Sequence, residues 1–317
     1  MRLCNKQNIY SLKNETSQRH IGEYFQIVEF KNKYHLYYPS QNFIKLVVSS
    51  TLSFIDKKPS IVLDNSPGGS FCIIENDDKL FMLCGLHGSN KENEEFEVLD
   101  LVWPNQKRTL LDWKVKRADR KNGMYLLSSS DGIKWNEEYE FPVLHGYVSS
   151  DSCQLGEVCF DTSPYVLKHA DQFFYYGRLN CSLDERRIYV RKSTDLINWS
   201  SPIKIDVVNE ANNSFKKNYY NPVVFNYNKK FYMVTPYFEA CGTEARKCIN
   251  GCTLLLCSMD GIVWETIDSF LFHDGKYKHR VNDVYCNEEK VSIFYRENIL
   301  QDRQFLTSYD LQLVDVR

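Results

Sequence analysis

Three near-identical stretches recur at an almost fixed interval: Ser129-Ser130-Asp131-Gly132-Ile133-Lys134-Trp135, Ser193-Thr194-Asp195-Leu196-Ile197-Asn198-Trp199 and Ser258-Met259-Asp260-Gly261-Ile262-Val263-Trp264. Their aspartates stand 64 and 65 residues apart (131, 195, 260). A repeat of that length dictates like units, each about the size of a four-stranded sheet, which bury their faces on one another. Two worn copies extend the series: Ser49 to Phe54 keeps the serines and an aromatic, and Ser308-Tyr309-Asp310-Leu311 keeps the serine and the aspartate.

A second repeat precedes each of these stretches. It is an apolar strand, a turn of Asn, Asp, Lys or Glu, and an aromatic strand: Phe25 to Tyr38, Phe71 to Cys84, Pro164 to Tyr176, Pro222 to Met233 and Val281 to Tyr295. In Tyr34-His35-Leu36-Tyr37-Tyr38 and Phe231-Tyr232-Met233-Val234 nearly every position is apolar or aromatic, as strands sandwiched between neighbouring sheets require. The expectation is an all-β fold, a five-bladed β-propeller with four-stranded antiparallel blades around a central funnel.

A ring of this kind takes up residues 1–317 as a single domain. The aromatic share of 14% and apolar share of 43% are enough to fill the layers between blades. Closure requires the last strand, Phe305 to Val314, to meet the first, and Leu3 to Leu12 is the strand expected to complete the last blade and remove two open edges. The interval from the first repeat to the second (50 to 131) is the longest, and its surplus is a charged insertion over 87–121 that carries Trp103 and Trp113.

A net charge of -2 gives no basic field for a phosphate backbone, so nucleic acid is not an expected partner. No apolar run approaches the roughly 20 residues a membrane span needs, and Met1 to Tyr10 lacks the pattern of a secretory signal, so no membrane partner and a cytoplasmic location are expected. Of 11 cysteines, several (Cys72, Cys84, Cys159, Cys257, Cys286) fall inside apolar strands as small hydrophobes. Cys241, Cys248, Cys252 and Cys257 lack the C-x2-C spacing of a zinc site, so buried or loop thiols are the reading preferred to metal, and no cofactor is expected.

The repeated aspartates read as turn-formers, because one active site cannot be present in every blade. Chemistry belongs instead at the starts of the inner strands, which surround one funnel: His20 to Glu23, Asp64 to Ser70, Glu157 to Ser163, Asn218 to Asn221 and His279 to Asp283.

Phe160-Asp161-Thr162-Ser163-Pro164-Tyr165-Val166, followed by Phe173-Phe174-Tyr175-Tyr176-Gly177-Arg178, resembles the third-blade segment of family-43 glycoside hydrolases. These belong to the clan of five-bladed propeller enzymes with families 32, 68 and 117 and the related family-130 phosphorylases. The resemblance implies carbohydrate chemistry in the funnel, with Asp161 orienting the general acid. The chain departs from that pattern in two places. Glu23-Tyr24-Phe25 stands where an Asp-Pro pair carries the base, and Tyr219-Tyr220-Asn221-Pro222 stands where a Glu-Gly-Pro segment carries the acid. The Trp-x-Asn-Asp-Pro-Asn-Gly segment of families 32 and 68 is absent.

Cleavage through an oxocarbenium-like transition state needs a carboxylic acid at the departing oxygen and a carboxylate for the opposite face. The candidates are Asp161, Glu23, Glu239 and Asp283, with Glu157 as a further rim carboxylate. Arg178 and Arg296 are placed to clamp an anionic group or to pair with a funnel carboxylate, His279 to bond a hydroxyl, and Tyr220 with Asn221 to hold a sugar ring. The expected activity is glycosidic hydrolysis of a sugar or oligosaccharide. The alternatives are a glycosyltransferase or glycoside phosphorylase using the same funnel, and a glycan-binding propeller without catalysis.

Overall fold

The computed structural model describes residues 2–11, 24–40, 43–63, 70–86, 123–139, 141–145, 157–159, 164–181, 185–210, 215–240, 248–270, 281–287, 290–300 and 303–312. These are strands, turns and short loops, with no helix among them. The charged insertion over 87–121 lies outside the described residues.

β1 (Arg2–Ser11) stands apart from the strands that follow it. β2 (Gln26–Phe30), β3 (Lys33–Ser40), β4 (Phe43–Ser49) and β5 (Ser60–Leu63) pair in chain order as a four-stranded antiparallel sheet. β6 (Phe71–Asn76), β7 (Lys79–Leu86) and β8 (Gly123–Ser129) form the next, its edge made by β9 (Asn136–Glu137) and β10 (Leu144–His145), which both pair with β8.

In the third, β11 (Glu157–Cys159) and β12 (Tyr165–His169) both pair with β13 (Gln172–Asn180), followed by β14 (Arg186–Ser193) and β15 (Ile203–Lys204). Then comes β16 (Asp206–Val208). β17 (Lys216–Tyr219) and β18 (Val223–Tyr227) both pair with β19 (Lys230–Ala240), and β20 (Cys248–Ser258) and β21 (Val263–Phe270) complete that sheet. β16 adds to β21 in parallel and so links the third and fourth sheets, as does a single parallel pair between Arg186 and Asn218. β22 (Val281–Cys286), β23 (Val291–Leu300) and β24 (Arg303–Gln312) make the last sheet. Its fourth strand is β1, antiparallel to β24, the closure the sequence calls for.

Apolar layers fill the space between consecutive sheets. Tyr37 and Leu46 pack with Met82 and Tyr125; Leu83 and Leu126 with Tyr175 and Leu196; Tyr176 and Ile188 with Met233 and Trp264; Val223 and Leu255 with Ile293 and Tyr295. Phe294, Ile9 and Tyr10 pack with Leu36 and Phe54, so β1 brings the last sheet onto the first. Because both faces of the middle strands are covered, Leu36, Tyr37 and Tyr38 are all fully buried in succession. The innermost strands touch in sequence: β2 packs on β6 and β22, β12 on β6 and β18, and β18 on β22.

The repeated turns share one hydrogen-bond plan. In each, the serine hydroxyl accepts from the backbone N–H groups two and three residues on, and the aspartate Oδ1 accepts from the two N–H groups after those. The residue after the aspartate is left-handed: Gly132 (φ 75°), Leu196 (φ 64°) and Gly261 (φ 75°). Glycine is needed at two of these because a tyrosine from the preceding sheet reaches in. Tyr37 Oη donates to Gly132 O (2.8 Å) and Tyr176 Oη to Gly261 O (3.0 Å), and a Cβ would meet those hydroxyls at 2.9 and 2.6 Å. In the remaining turn the residue matching the tyrosine is Leu83, and Leu196 packs into the same apolar layer.

Ser49 keeps the plan in outline, accepting from Thr51 N and donating to Ser53 O. Ser308 and Asp310 do not. They lie inside β24, paired to β1 and β23, where Asp310 accepts from Ser292 Oγ and Asn5 Nδ2. The last sheet needs no turn there because its outer edge is supplied by β1.

Candidate functional site

The starts of the inner strands converge. Tyr24 before β2, Pro164 and Tyr165 at β12, Asn221 and Pro222 before β18, and Val281 and Asn282 at β22 line one cavity with room for about one water molecule. The local sequence explains this convergence. Pro164 and Pro222 cannot donate to a ladder and therefore open their strands. Just before Pro222, Asn221 takes a left-handed conformation (φ 40°), which asparagine tolerates better than most residues. The resulting kink separates β17 from β18 while both stay paired to β19. It is pinned by Thr235 Oγ1, which donates to Tyr220 O (2.7 Å), and by Tyr220 N, which donates to Pro236 O (3.0 Å). The Asn221 side chain is 3% exposed, and neither Oδ1 nor Nδ2 has a hydrogen-bond partner among the described residues.

Asp283 is 1% exposed and joins three sheets. Its Oδ2 accepts from Ile27 N of β2; its Oδ1 accepts from Val284 N (2.9 Å) and from Tyr165 Oη of β12 (2.9 Å). Burial pushes the carboxyl up to about 7, against the pull of these donors toward the ionised form. Tyr165 is the one partner able to exchange roles, since a hydroxyl can accept from the neutral acid as well as donate to the carboxylate. A second cross-sheet bond pair lies nearby: Gln26 Nε2 donates to Ile73 O (2.8 Å) and Ile73 N to Gln26 Oε1 (2.7 Å), fixing β2 to β6.

Among the described residues, the third and fourth sheets alone carry an extra strand ahead of the inner one, β11 and β17. On this extension the buried Arg178 lies over the Tyr220 ring (5.1 Å), which in turn packs on Phe238 (5.5 Å). Glu239, 3% exposed, stands opposite Lys217 in the ladder and accepts from Tyr237 Oη (2.9 Å). Farther out, Arg187 pairs with Glu185 (2.9 Å) and Glu210, and Tyr219 Oη donates to Glu210. Burial alone would lower the Arg187 guanidinium, but these two carboxylates hold it above its ordinary value. Buried polar groups thus gather where the third and fourth sheets adjoin the cavity.

Of the residues singled out from the sequence, Asn221 lines the cavity, Asp283 bonds to the cavity-lining Tyr165, and Arg178, Tyr220 and Glu239 occupy the adjoining extension. Glu157 and Arg296 fall in β11 and β23, opposite Asn180 and Leu306. Asp161, Glu23 and His279 lie outside the described residues; Asp161 falls in sequence between β11 and the cavity-lining Pro164. Sequence reasoning did not single out Tyr165 or Asn282: Asn282 sits within an inner-strand start it marked, and Tyr165 lies two residues beyond another. A tyrosine directly after the strand-opening proline was the available signal.

No protein-family model and no curated protein sequence matches the chain. Solved structures do resemble it. A thermostable family-43 glycoside hydrolase aligns over 96% of this chain and 94% of its own, at 15% identity and a TM-score of 0.59. An endo-arabinase from Bacteroides thetaiotaomicron aligns over 98% and 99%, at 14% identity and a TM-score of 0.58. A family-32 β-fructofuranosidase of Bombyx mori, solved with sucrose, aligns over 96% of this chain at 16% identity and a TM-score of 0.59; the chain spans 65% of that longer protein. These three neighbours are glycoside hydrolases, another structure of the same fold is an N-acetylgalactosamine deacetylase, and at these identities the likeness establishes a shared fold.

Proposed function

We propose that the chain is a five-bladed propeller that binds a sugar in its axial pit and hydrolyses a glycosidic bond there. The blade count draws support from the alternation of sheets and apolar layers and from the way each innermost strand packs on two others. One observation carries the placement of the site. The starts of four inner strands meet at a single cavity bordered by buried polar groups, while the repeated outer aspartates are occupied in turns. Glycoside hydrolases among proteins of the same fold supply the reaction class.

In this reading Asp161 and one further carboxylate from Glu23 or Glu239 form the acid–base pair. Asp283 has both oxygens engaged by donors from three sheets, so it holds the floor together and sets Tyr165 rather than reaching substrate. Arg178 and Tyr220 form the wall on which a sugar ring packs.

The test is a release assay on a panel of aryl glycosides and oligosaccharides, arabinan fragments and sucrose included, for the unaltered chain and for Asp161→Asn and Glu239→Gln. Hydrolysis that falls by about 10²-fold or more in Asp161→Asn supports the assignment. Hydrolysis indifferent to that change removes Asp161. Release only in the presence of phosphate would make the chain a phosphorylase, and binding without release a glycan-binding propeller.

A further inference from the structure

We infer that Asn221 reads one hydroxyl group of a sugar at the floor of the pit, an inference that rests on the sugar-binding reading above. A fully buried amide with both polar atoms unpartnered is rare in a folded protein, since folding strips its water without replacement. Here it coincides with a left-handed backbone, so two local costs fall on one residue at one cavity.

The neighbours do not relieve either cost. Pro164 and Pro222 have no N–H, Val223 and Val281 have apolar side chains, the Tyr165 hydroxyl is bonded to Asp283, and neither of the other two polar lining residues, Tyr24 and Asn282, is a hydrogen-bond partner of the Asn221 amide. The space matches a single oxygen atom. An amide offers one acceptor and one kind of donor side by side, and a hydroxyl, which both donates and accepts, can answer both. A carboxylate or phosphate oxygen only accepts. It would bond Nδ2 and face Oδ1 with like partial charge. The amide therefore selects a hydroxyl over a carboxylate or phosphate oxygen at this one position. A resident water offers the same chemistry as the hydroxyl, and the experiment must separate the two.

Asn221→Gly removes the amide and keeps the left-handed backbone, so it should fold. Binding of sucrose, of arabino-oligosaccharides and of singly deoxygenated methyl glycosides is measured by titration calorimetry, beside the melting temperature without ligand. The expected result is affinity weakened about tenfold or more in Asn221→Gly, with no fall in ligand-free melting temperature. One deoxygenated position should weaken the unaltered protein by a similar factor and leave the variant unchanged. In Asn221→Asp, which is acceptor-only when ionised, binding should recover as the pH is lowered and the acid regains a donor.

Unchanged affinity in Asn221→Gly, with or without lowered stability, would assign the amide to a structural water and overturn the inference alone. Tighter binding of an analogue that carries a carboxylate in place of the hydroxyl so identified would overturn the selectivity. No binding of any sugar by the unaltered protein would overturn the parent reading and this one with it.

Discussion

The outer turns and the axial floor both use aspartate, and they use it in opposite ways. Asp131 sits at the surface, and the N–H groups of Lys134 and Ile133 hold its carboxyl below the usual range. At Asp195 burial pushes upward, but bonds from Asn198 and Ile197 prevail and bring it to about 2. Asp283 also accepts backbone N–H bonds, yet burial dominates and raises it to about 7. The turn aspartates recur from sheet to sheet with one hydrogen-bond plan. Among the described residues Asp283 shares its cross-sheet role, accepting a backbone N–H of the next inner strand, only with Gln26, which stands at the matching position of β2 and accepts from Ile73 N; no other described asparagine combines a left-handed backbone with an unpartnered amide as Asn221 does. The polar chemistry of the outer turns repeats and makes the fold; the buried polar chemistry beside the cavity varies from sheet to sheet.

The sharpest break of that comparison comes from the floor. Asp283→Ala strands the N–H groups of Ile27 and Val284 and the Tyr165 hydroxyl, and should cost about 3–5 kcal/mol in urea unfolding. A loss below about 1 kcal/mol would place Asp283 outside the framework.

Removal of residues 1–11 takes away the strand that covers β24. Burial of Ile9 and Tyr10 alone puts the cost at about 3–5 kcal/mol, and the bared edge should aggregate on size-exclusion chromatography.

The turns should respond according to what reaches into them. Gly261→Ala meets both the left-handed backbone and the Tyr176 hydroxyl and should cost about 1–3 kcal/mol. Leu196→Gly relieves the same backbone while giving up apolar burial, and should come out smaller in melting temperature. Tyr176→Phe loses one bond to Gly261 O and should cost about 1 kcal/mol.

A pH series separates the two classes of aspartate. The raised carboxyl of Asp283 keeps its proton in the folded state where the unfolded chain has lost it. Its contribution is therefore full below about pH 4 and declines as the pH rises toward 7. The lowered turn aspartates act in the other direction, their contribution present above about pH 4 and lost on acidification. Stability of the unaltered protein relative to Asp283→Asn should thus fall between pH 4 and 7. A flat difference would contradict the raised value.

Much of the fold could be read from the sequence because its determinants are local. Hairpins announce themselves by aromatic strands around polar turns, and the Ser-x-Asp stretches close their bonds within six residues. The closing strand at Arg2–Ser11 followed from edge protection. The exceptions depend on distant partners. Ser308 and Asp310 match the repeat in letters, but β1 covers that edge and the segment runs on as strand. Leu196 in place of glycine makes sense only beside Leu83, and the role of Asp283 only beside Ile27 and Tyr165, 256 and 118 residues away. At the candidate site, the proline-opened strands pointed to the ends of the sheets that line the cavity. Which polar atoms go unpaired there depends on packing that sequence periodicity does not carry.

The most direct test is a crystal structure of Asp161→Asn with an arabino-oligosaccharide or sucrose. The account predicts a sugar ring at the starts of the inner strands, one hydroxyl within hydrogen-bond distance of Asn221 and a face against Tyr220. A ring seated instead on the outer turns of Asp131, Asp195 or Asp260, with none in the pit, would contradict it.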